Sequence, residues 1–415
     1  MSIIIGALKV IFVLGFLILI HEGGHFLVAK ACKVKVKEFS IGFGPKIFER
    51  KGKETKYTLR LVPFGGFVDM LGENEQIDEP GSFSSSPVWK RMAIVVAGAT
   101  VNIVFGFIVY FSLIAIDFNQ VSTTVNEILP EYSTNLIALE NGDEIEKINN
   151  TKIHLKTDID KVLSEVENPN LNLEIKRNGE NKTINVVATK KISKYIGIYF
   201  GSTDSLDSEI QYIQPDSPAE TAGLKKGDKI IGINGLQTEN PIEISKNIIT
   251  DIVELKIKRE NKELIVNVNA KDVESYVLGV SFEKAEPNLL NRMYYGYWES
   301  IEYLKALGES IITLIKGDVQ MDQMMGPIGI SEVIVKTEGI SQFVYFLSII
   351  SLSLGVSNLL PIPALDGGRL LLLIIEAIRR KPLKQQTEIT IQMIGFSFII
   401  LLSLYISFND IIRIF

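Results

Sequence analysis

Four stretches of the chain stay apolar long enough to cross a bilayer, which takes about 20 mostly apolar residues. They run at about 3–28, 91–116, 341–362 and 389–410. Between the second and third the pattern changes. Segments such as LNLEIKRNG and VELKIKRENKELIVNVN alternate apolar and polar positions with period two, which predicts half-buried strands. The segment NRMYYGYWESIEYLKALGESIITLIK, from Asn291, repeats its apolar positions at helical spacing. Its Tyr294, Tyr295, Tyr297 and Trp298 suit a membrane–water interface, so it is expected to lie along the outer membrane surface and lead into the third span.

Lysine and arginine fix the expected orientation. Lys30, Lys33, Lys35 and Lys37 follow the first span, Lys90 and Arg91 precede the second, and Arg379, Arg380, Lys381 and Lys384 lie between the third and fourth. Both short connections are therefore expected in the cytoplasm, and the long insert outside, in a multi-pass protein of the inner (cytoplasmic) membrane. The first span is expected to be retained, because its positive charges follow the apolar run and no small-residue cleavage site is visible.

Composition agrees with membrane helices carrying a polar insert: the 415 residues are 46% hydrophobic and 22% charged. A formal charge of −6 argues against nucleic acid as a partner. The single cysteine, Cys32, excludes an internal disulfide and reads as a small packed side chain. Of the three histidines, His154 falls in the insert and reads as solvent-facing.

The insert repeats itself. EIQYIQPDSPAETAGLKKGDKIIGINGLQ, from Glu209, and TVNEILPEYSTNLIALENGDEIEKINNTKI, from Thr124, align at Gly227-Asp228 with Gly142-Asp143 and at Asn234 with Asn149. The period of roughly 80 residues is the size of a small domain rather than of a solenoid unit. Both copies resemble PDZ domains of the bacterial, protease-associated type, which implies a groove where an extended peptide can add as a strand. A simple sieve with empty grooves remains an equal alternative.

The remaining two histidines, His21 and His25, stand in LILIHEGGHFLVAK, inside the first span. Charged groups at a bilayer centre cost about 2.5–3.5 kcal/mol each on insertion scales, so something should compensate them. H-E-x-x-H on a helix puts both imidazoles on one face, where they can bind one Zn²⁺, with Glu22 placed to accept a proton from water. A catalytic zinc usually takes a third protein ligand. Asp366, in SNLLPIPALDGGRLLLL at the end of the third span, is the candidate carboxylate, its prolines breaking the helix and Gly367-Gly368 permitting close approach. The competing reading of Asp366 is as N-cap of the next helix. Asn358, two turns earlier, could donate to a substrate backbone or oxyanion, or could act as interhelical packing glue.

HExxH in the first span, the repeated PDZ-like units and NLLPIPALDGG together resemble the site-2 protease family of intramembrane zinc metallopeptidases, over nearly the whole chain. FSIGFGP, LRLVPFGGFVDMLGE and GPIGI carry the same resemblance. It implies His21, His25 and Asp366 as zinc ligands, Glu22 as catalytic base, and membrane-anchored substrates such as an anti-sigma factor or a remnant signal peptide. The family usually has a bulky apolar residue where this chain has Gly23; two adjacent glycines cost roughly 1 kcal/mol each in helix propensity. A membrane helix must also be unwound before it can be cut. KYTLRLVPFGGFVDM reads as part of a membrane-dipping β-hairpin, with Leu59 and Leu61 on an edge strand open to substrate and Gly65-Gly66 at a bend.

The expected architecture is thus a polytopic α-helical membrane protein with four transmembrane helices, two inserted α+β PDZ-like domains and a membrane-associated β-hairpin. The expected divisions are 1–117 with a cytoplasmic-side hairpin at about 34–72, PDZ-like units at 118–200 and 201–285, an amphipathic linker at 286–340, and a C-terminal membrane part at 341–415. A zinc-binding transporter and an inactive PDZ scaffold are the competing functional readings. The hairpin and paired PDZ-like units disfavour the first, and the intact HExxH and Asp366 disfavour the second.

Overall fold

The computed structural model describes residues 2–73, 75–200, 207–260, 262–316, 326–337 and 339–414. The chain forms two compact units, Met1–Phe118 with Glu286–Phe415, and Asn119–Ala285. In chain order the helices of the described residues are α1 (Ser2–Ala31), α2 (Val88–Ile116), α3 (Lys156–Glu165), α4 (Pro218–Thr221), α5 (Pro241–Lys246), α6 (Leu289–Lys316), α7 (Pro327–Lys336), α8 (Gly339–Asn358), α9 (Asp366–Arg379) and α10 (Gln385–Ile414). Four of these, α1, α2, α8 and α10, are long and apolar enough to span a membrane. Their bounds match the four expected spans to within a few residues, the third stopping at Asn358 ahead of Pro361 and Pro363.

In the helical unit α2 is central, packing against α1, α6, α8 and α9. Small residues let the backbones close up, the usual solution where lipid removes the hydrophobic drive between helices. A Cβ on Gly106 would lie 2.8 Å from the Ser348 carbonyl oxygen of α8. The aromatic face of α6 rests on α2, with Tyr303 stacked on Tyr110 and Gly296 against Phe111. At the start of α7 the buried Asp410 of α10 accepts the backbone N–H of Gly329 at 2.8 Å and of Gly326 at 3.3 Å, which caps the GPIGI helix from another element.

The expected hairpin is β1 (Val36–Lys51) and β2 (Lys56–Met70), but each strand bends back and pairs twice. Gly42 and Gly44 hold φ of +85° and +83° at the bend of β1. Residues 36–41 pair with 66–70 on one side and with 56–59 on the other; residues 56–59 pair in turn with 48–51. The pairing order is 66–70, 36–41, 56–59, 48–51. Inside it Arg60 donates to Glu38 (2.7 Å), Ser40 (3.0 Å) and the Gly44 carbonyl (2.9 Å). Partial burial alone would raise the Glu38 carboxyl, but Arg60 and Thr58 outweigh it and hold that carboxyl below its ordinary range.

The second unit has two cores. Strands β3 (Val121–Ile128), β4 (Glu144–Ile148), β5 (Thr151–Lys152), β6 (Asn170–Arg177) and β7 (Glu180–Val187) enclose one with α3. Strand β8 (Thr189–Tyr195) then leaves it, and β9 (Ile198–Phe200), β10 (Ile210–Ile213), β11 (Lys229–Ile233), β12 (Leu236–Gln237), β13 (Ile252–Arg259) and β14 (Lys262–Asn269) build the other with α4 and α5. The return strand β15 (Lys271–Val277) pairs with β8 along its full length, and β16 (Val280–Lys284) pairs with β3 of the first core. The expected boundary at 200/201, which adjoins residues outside the described set, does not follow these cores. Leu278, Val280 and Phe282 pack in the first core, while Ile196, Ile198 and Phe200 pack in the second. The second core is nested within the first, because the closing strand of the first sheet is supplied only after the second is complete.

The repeat read from Gly-Asp is repeated in three dimensions. Gly142 and Gly227 turn at φ of +89° and +88°. The next residue is a fully buried aspartate in each copy. Asp143 takes two bonds from Arg177, both 2.7 Å, and Asp228 takes two from Arg259, both 2.6 Å. Each aspartate also accepts a backbone N–H three residues earlier at 2.8 Å, and each arginine donates to a carbonyl of the preceding loop at 2.9 Å. Removing one partner leaves a buried charge uncompensated, which costs about 3–5 kcal/mol, whereas exposed pairs are worth about 0–1 kcal/mol. Asp228→Ala is therefore expected to strip hydrogen-exchange protection from β11 and β13, and Glu239→Ala, which removes the exposed partner of Lys229, to leave it within error.

Candidate metal centre

The i, i+4 spacing of H-E-x-x-H delivers its two imidazoles to one face of α1, with ring centroids 4.8 Å apart. Room for them comes from α2. A Cβ on Gly98 would lie 2.4 Å from His25 Nε2 and 2.9 Å from His21 Cε1, so no larger side chain fits. Gly24, between the histidines, faces the Ala97 carbonyl, where a Cβ would come within 2.6 Å of the oxygen. The nearby Ile94 carbonyl accepts a bond from His25 Nδ1 at 2.8 Å. A carbonyl can only accept, so the neutral ring carries its proton on Nδ1 and presents Nε2 as a bare lone pair. Among the described residues nothing lies within 4 Å of a Cβ added at Gly23. Its absent side chain is therefore not a packing requirement of this chain.

The carboxylate arrives from the broken segment after α8. Ala364 sits at φ +76°, and its backbone N–H donates to Gln392 Oε1 of α10 at 2.5 Å. Gly395 of α10 lies against Pro363, 2.3 Å from its oxygen by an added Cβ. Gly367 and Gly368 press equally closely on the carbonyls of Leu359 and Ile362. Asp366 opens α9, whose N-cap is Leu365, so the N-cap reading of Asp366 gives way.

The three donors converge. His21 Nε2 and His25 Nε2 are 3.2 Å apart, and Asp366 Oδ2 lies 3.2 Å from the first and 3.4 Å from the second. Asp366 Oδ2 is buried and has no hydrogen-bond partner among the described residues. A lone pair from His25 and a carboxylate oxygen meet here with no proton assigned between them, so the site calls for a cation. Ligands about 2.0–2.1 Å from a tetrahedral zinc stand about 3.3 Å from each other, which is the spacing found. Among the described residues this is the group of histidine, cysteine and acidic side chains able to hold a metal.

Glu22 is approached from the sheet side. A Cβ on Gly66 would sit 3.2 Å from Glu22 Cγ and 3.5 Å from Ile18, so the strand at 66–70 lies directly on the H-E-x-x-H turn. Gly65 adopts φ +122° beside the Phe43 ring. Leu59 does not lie on the sheet edge as expected: its backbone is paired on both sides, with Ile41 and Phe48. Its side chain and that of Leu61 are exposed. The edge beside Glu22 belongs to residues 66–70, to which no further strand pairs among the described residues. Asn358 ends α8, and among the described residues no hydrogen bond ties it to the three donors.

Sequence reasoning missed the charges that frame the site. Arg369 of α9 donates to Glu73 at 2.5 Å and covers the Phe83 ring at 4.9 Å, while Arg91 of α2 pairs with Glu376 of α9. These groups, with Gln392, line a cavity of about 390 Å³ that reaches Asp366. The arginine in DGGR and the glutamate in MLGE were visible as charges next to apolar runs, but nothing local pairs them.

A family model described as "Peptidase family M50" matches residues 9–402. The chain belongs to peptidase family M50. The M50 peptidase is 32% identical over 432 residues to the "Regulator of sigma-W protease RasP" of Bacillus subtilis (strain 168), covering 98% of each chain. It is 32% identical over 426 residues to the "Zinc metalloprotease RasP" of Geobacillus kaustophilus (strain HTA426), covering 98% of this chain and 97% of that one. A "Putative zinc metalloprotease" of Vibrio cholerae is 29% identical over 450 residues, covering 97% and 98%. A solved HtrA3 PDZ domain bound to a phage-derived ligand covers 21% of this chain at 20% identity with a TM-score of 0.19, too slight a likeness to argue from. With its four apolar helices, the M50 peptidase is a multi-pass membrane enzyme.

The glycine contacts separate the two unusual positions. Gly98→Val is expected to drive the imidazoles apart and lower the zinc content of the purified M50 peptidase at least tenfold. Gly23→Leu should keep zinc at the wild-type level and raise the melting temperature, since about 1 kcal/mol of helix propensity is recovered in open space. Metal analysis alongside thermal unfolding reads both.

Proposed function

We propose that His21, His25 and Asp366 hold a zinc ion with which the M50 peptidase cuts transmembrane segments, Glu22 serving as the catalytic base. The observation carrying this reading is the triangle of three donors at zinc spacing beside Glu22. When bound, zinc supplies Lewis acidity toward the scissile carbonyl. Glu22 accepts a proton from the attacking water and returns it to the leaving nitrogen. Asn358 donates to the substrate backbone, a role supported by its place just before the broken segment that carries Asp366.

The sheet of β1 and β2 is membrane-associated in this reading. Its support is the row of exposed apolar side chains, Phe43, Ile47, Phe48, Leu61 and Val62. An unwound substrate adds to the 66–70 edge, which carries it past Glu22. The two modules of the second unit are nested PDZ-like domains, residues 119–188 with 276–285 around 196–270, a division that follows the two cores. They stand outside the inner membrane, with the site toward the cytoplasmic side, on the lysine and arginine distribution. Substrates are membrane-anchored proteins, an anti-sigma factor or a remnant signal peptide; the name of the sigma-W relative, which makes that protein a regulator, supports the first of these.

Purified full-length protein with a membrane-anchored model substrate tests the proposal. Cleavage should stop with a zinc chelator and return with zinc. Glu22→Gln should lower the rate about 10²–10⁴-fold with zinc retained. Val68→Pro should slow cleavage of a helical substrate more than of an unfolded peptide. Chelator-resistant cleavage, or activity unchanged in Glu22→Gln, contradicts the catalytic assignment; equal slowing of both substrates by Val68→Pro contradicts the edge.

A further inference from the structure

Asn102 lies on α2 with its side chain wholly buried. Its amide nitrogen stands 3.3 Å from His21 Nδ1, while its Oδ1 is buried without a hydrogen-bond partner among the described residues. The two ends of a carboxamide have the same shape, and which end faces a neighbour is settled by the bonds it can make. With the nitrogen toward His21, Nδ1 must accept. The ring proton of neutral His21 is then forced onto Nε2, the atom aimed at His25 Nε2 and Asp366 Oδ2. Turning the carboxamide by 180° places the orphaned oxygen on Nδ1–H and frees Nε2.

We propose that Asn102 is a positioning residue, whose side-chain oxygen accepts the His21 Nδ1 proton and so holds His21 in the tautomer that can bind metal. His25 already shows the same arrangement, with its Nδ1 on the Ile94 carbonyl about two turns earlier on the same side of α2. One helix thus sets both rings. Residue 102 is itself held from the far side, where the buried Ser351 hydroxyl of α8 donates to its backbone carbonyl at 2.8 Å. Groups that fix a ligating imidazole through its other nitrogen typically change metal affinity 10–100-fold. The H-E-x-x-H spacing does not reveal this role, since Asn102 lies on another span.

The inference rests on His21 being a ligand, and the experiment separates the two. Zinc affinity of the purified full-length chain is measured by competition with a chromophoric chelator, with cooperative unfolding of each metal-free variant as a folding control. Asn102→Asp keeps an acceptor but no donor and should hold zinc as tightly as wild type or more so. Asn102→Leu should bind 10–100-fold more weakly; should leucine fail to fold, Asn102→Ala carries the same expectation. His21→Ala should lose the site. If His21→Ala loses zinc while Asn102→Leu or Asn102→Ala binds normally, the positioning role is overturned and the ligand assignment stands. Equal weakening by Asn102→Asp and the apolar variants also overturns it, because acceptance would then not be what matters. Retention of zinc by His21→Ala overturns the ligand assignment and the positioning role with it.

Discussion

Backbone contact between α1 and α2 is the constraint on which the site depends. Two imidazoles one turn apart occupy the space where side chains of a neighbouring helix would ordinarily pack. Gly24 and Gly98 give up that space, so the α2 backbone comes close enough for its own groups to address the rings. The same closeness places the Ile94 carbonyl on His25 and the Asn102 carboxamide on His21. Farther along, α2 meets α8 with equally little between them, at Gly106 and Ser348 and at Gly355 and Ala99. A carboxylate leaving the end of α8 is thereby brought back toward the histidines.

Asp366 needs more than delivery. It rides on a segment that breaks helix geometry at Pro361, Pro363 and Ala364, and broken backbone at membrane depth must find partners in protein. Gln392 of α10 supplies one on one side, where Gly395 lets the α10 backbone approach Pro363. On the other, the Arg369–Glu73 and Arg91–Glu376 pairs fasten α9 to the end of β2 and to α2. Ion pairs of this half-buried kind are modest as stability terms, and here both link α9 to a neighbouring element. The sheet and the metal donors therefore share a frame, and Gly66 of β2 lies on Glu22 as part of it.

What the sequence made legible was local or periodic. The spans followed from apolar length, the histidine pair from its spacing, and the repeated modules from Gly-Asp and Asn at matching offsets. Asp366 could be named because prolines and glycines mark the break around it. The rest depended on pairing between distant segments. Leu59 was expected at a sheet edge, but the bend at Gly42 and Gly44 lets residues 36–41 pair on both sides and moves the edge to 66–70. The expected boundary at 200/201 does not follow the two cores because β16 returns to β3, an exchange that alternation in either strand cannot announce. Gly23 stood out against the related motifs, and the open space around it gives the reason it is tolerated.

The central claim concerns the atoms around one ion, and zinc K-edge X-ray absorption of the purified, zinc-loaded protein addresses it directly. The account predicts nitrogen and oxygen donors at about 2.0–2.2 Å, with the outer-shell scattering of two imidazoles and no sulfur. A sulfur shell at about 2.3 Å, which would bring in the half-buried Cys32, would contradict it; so would scattering from fewer than two imidazoles.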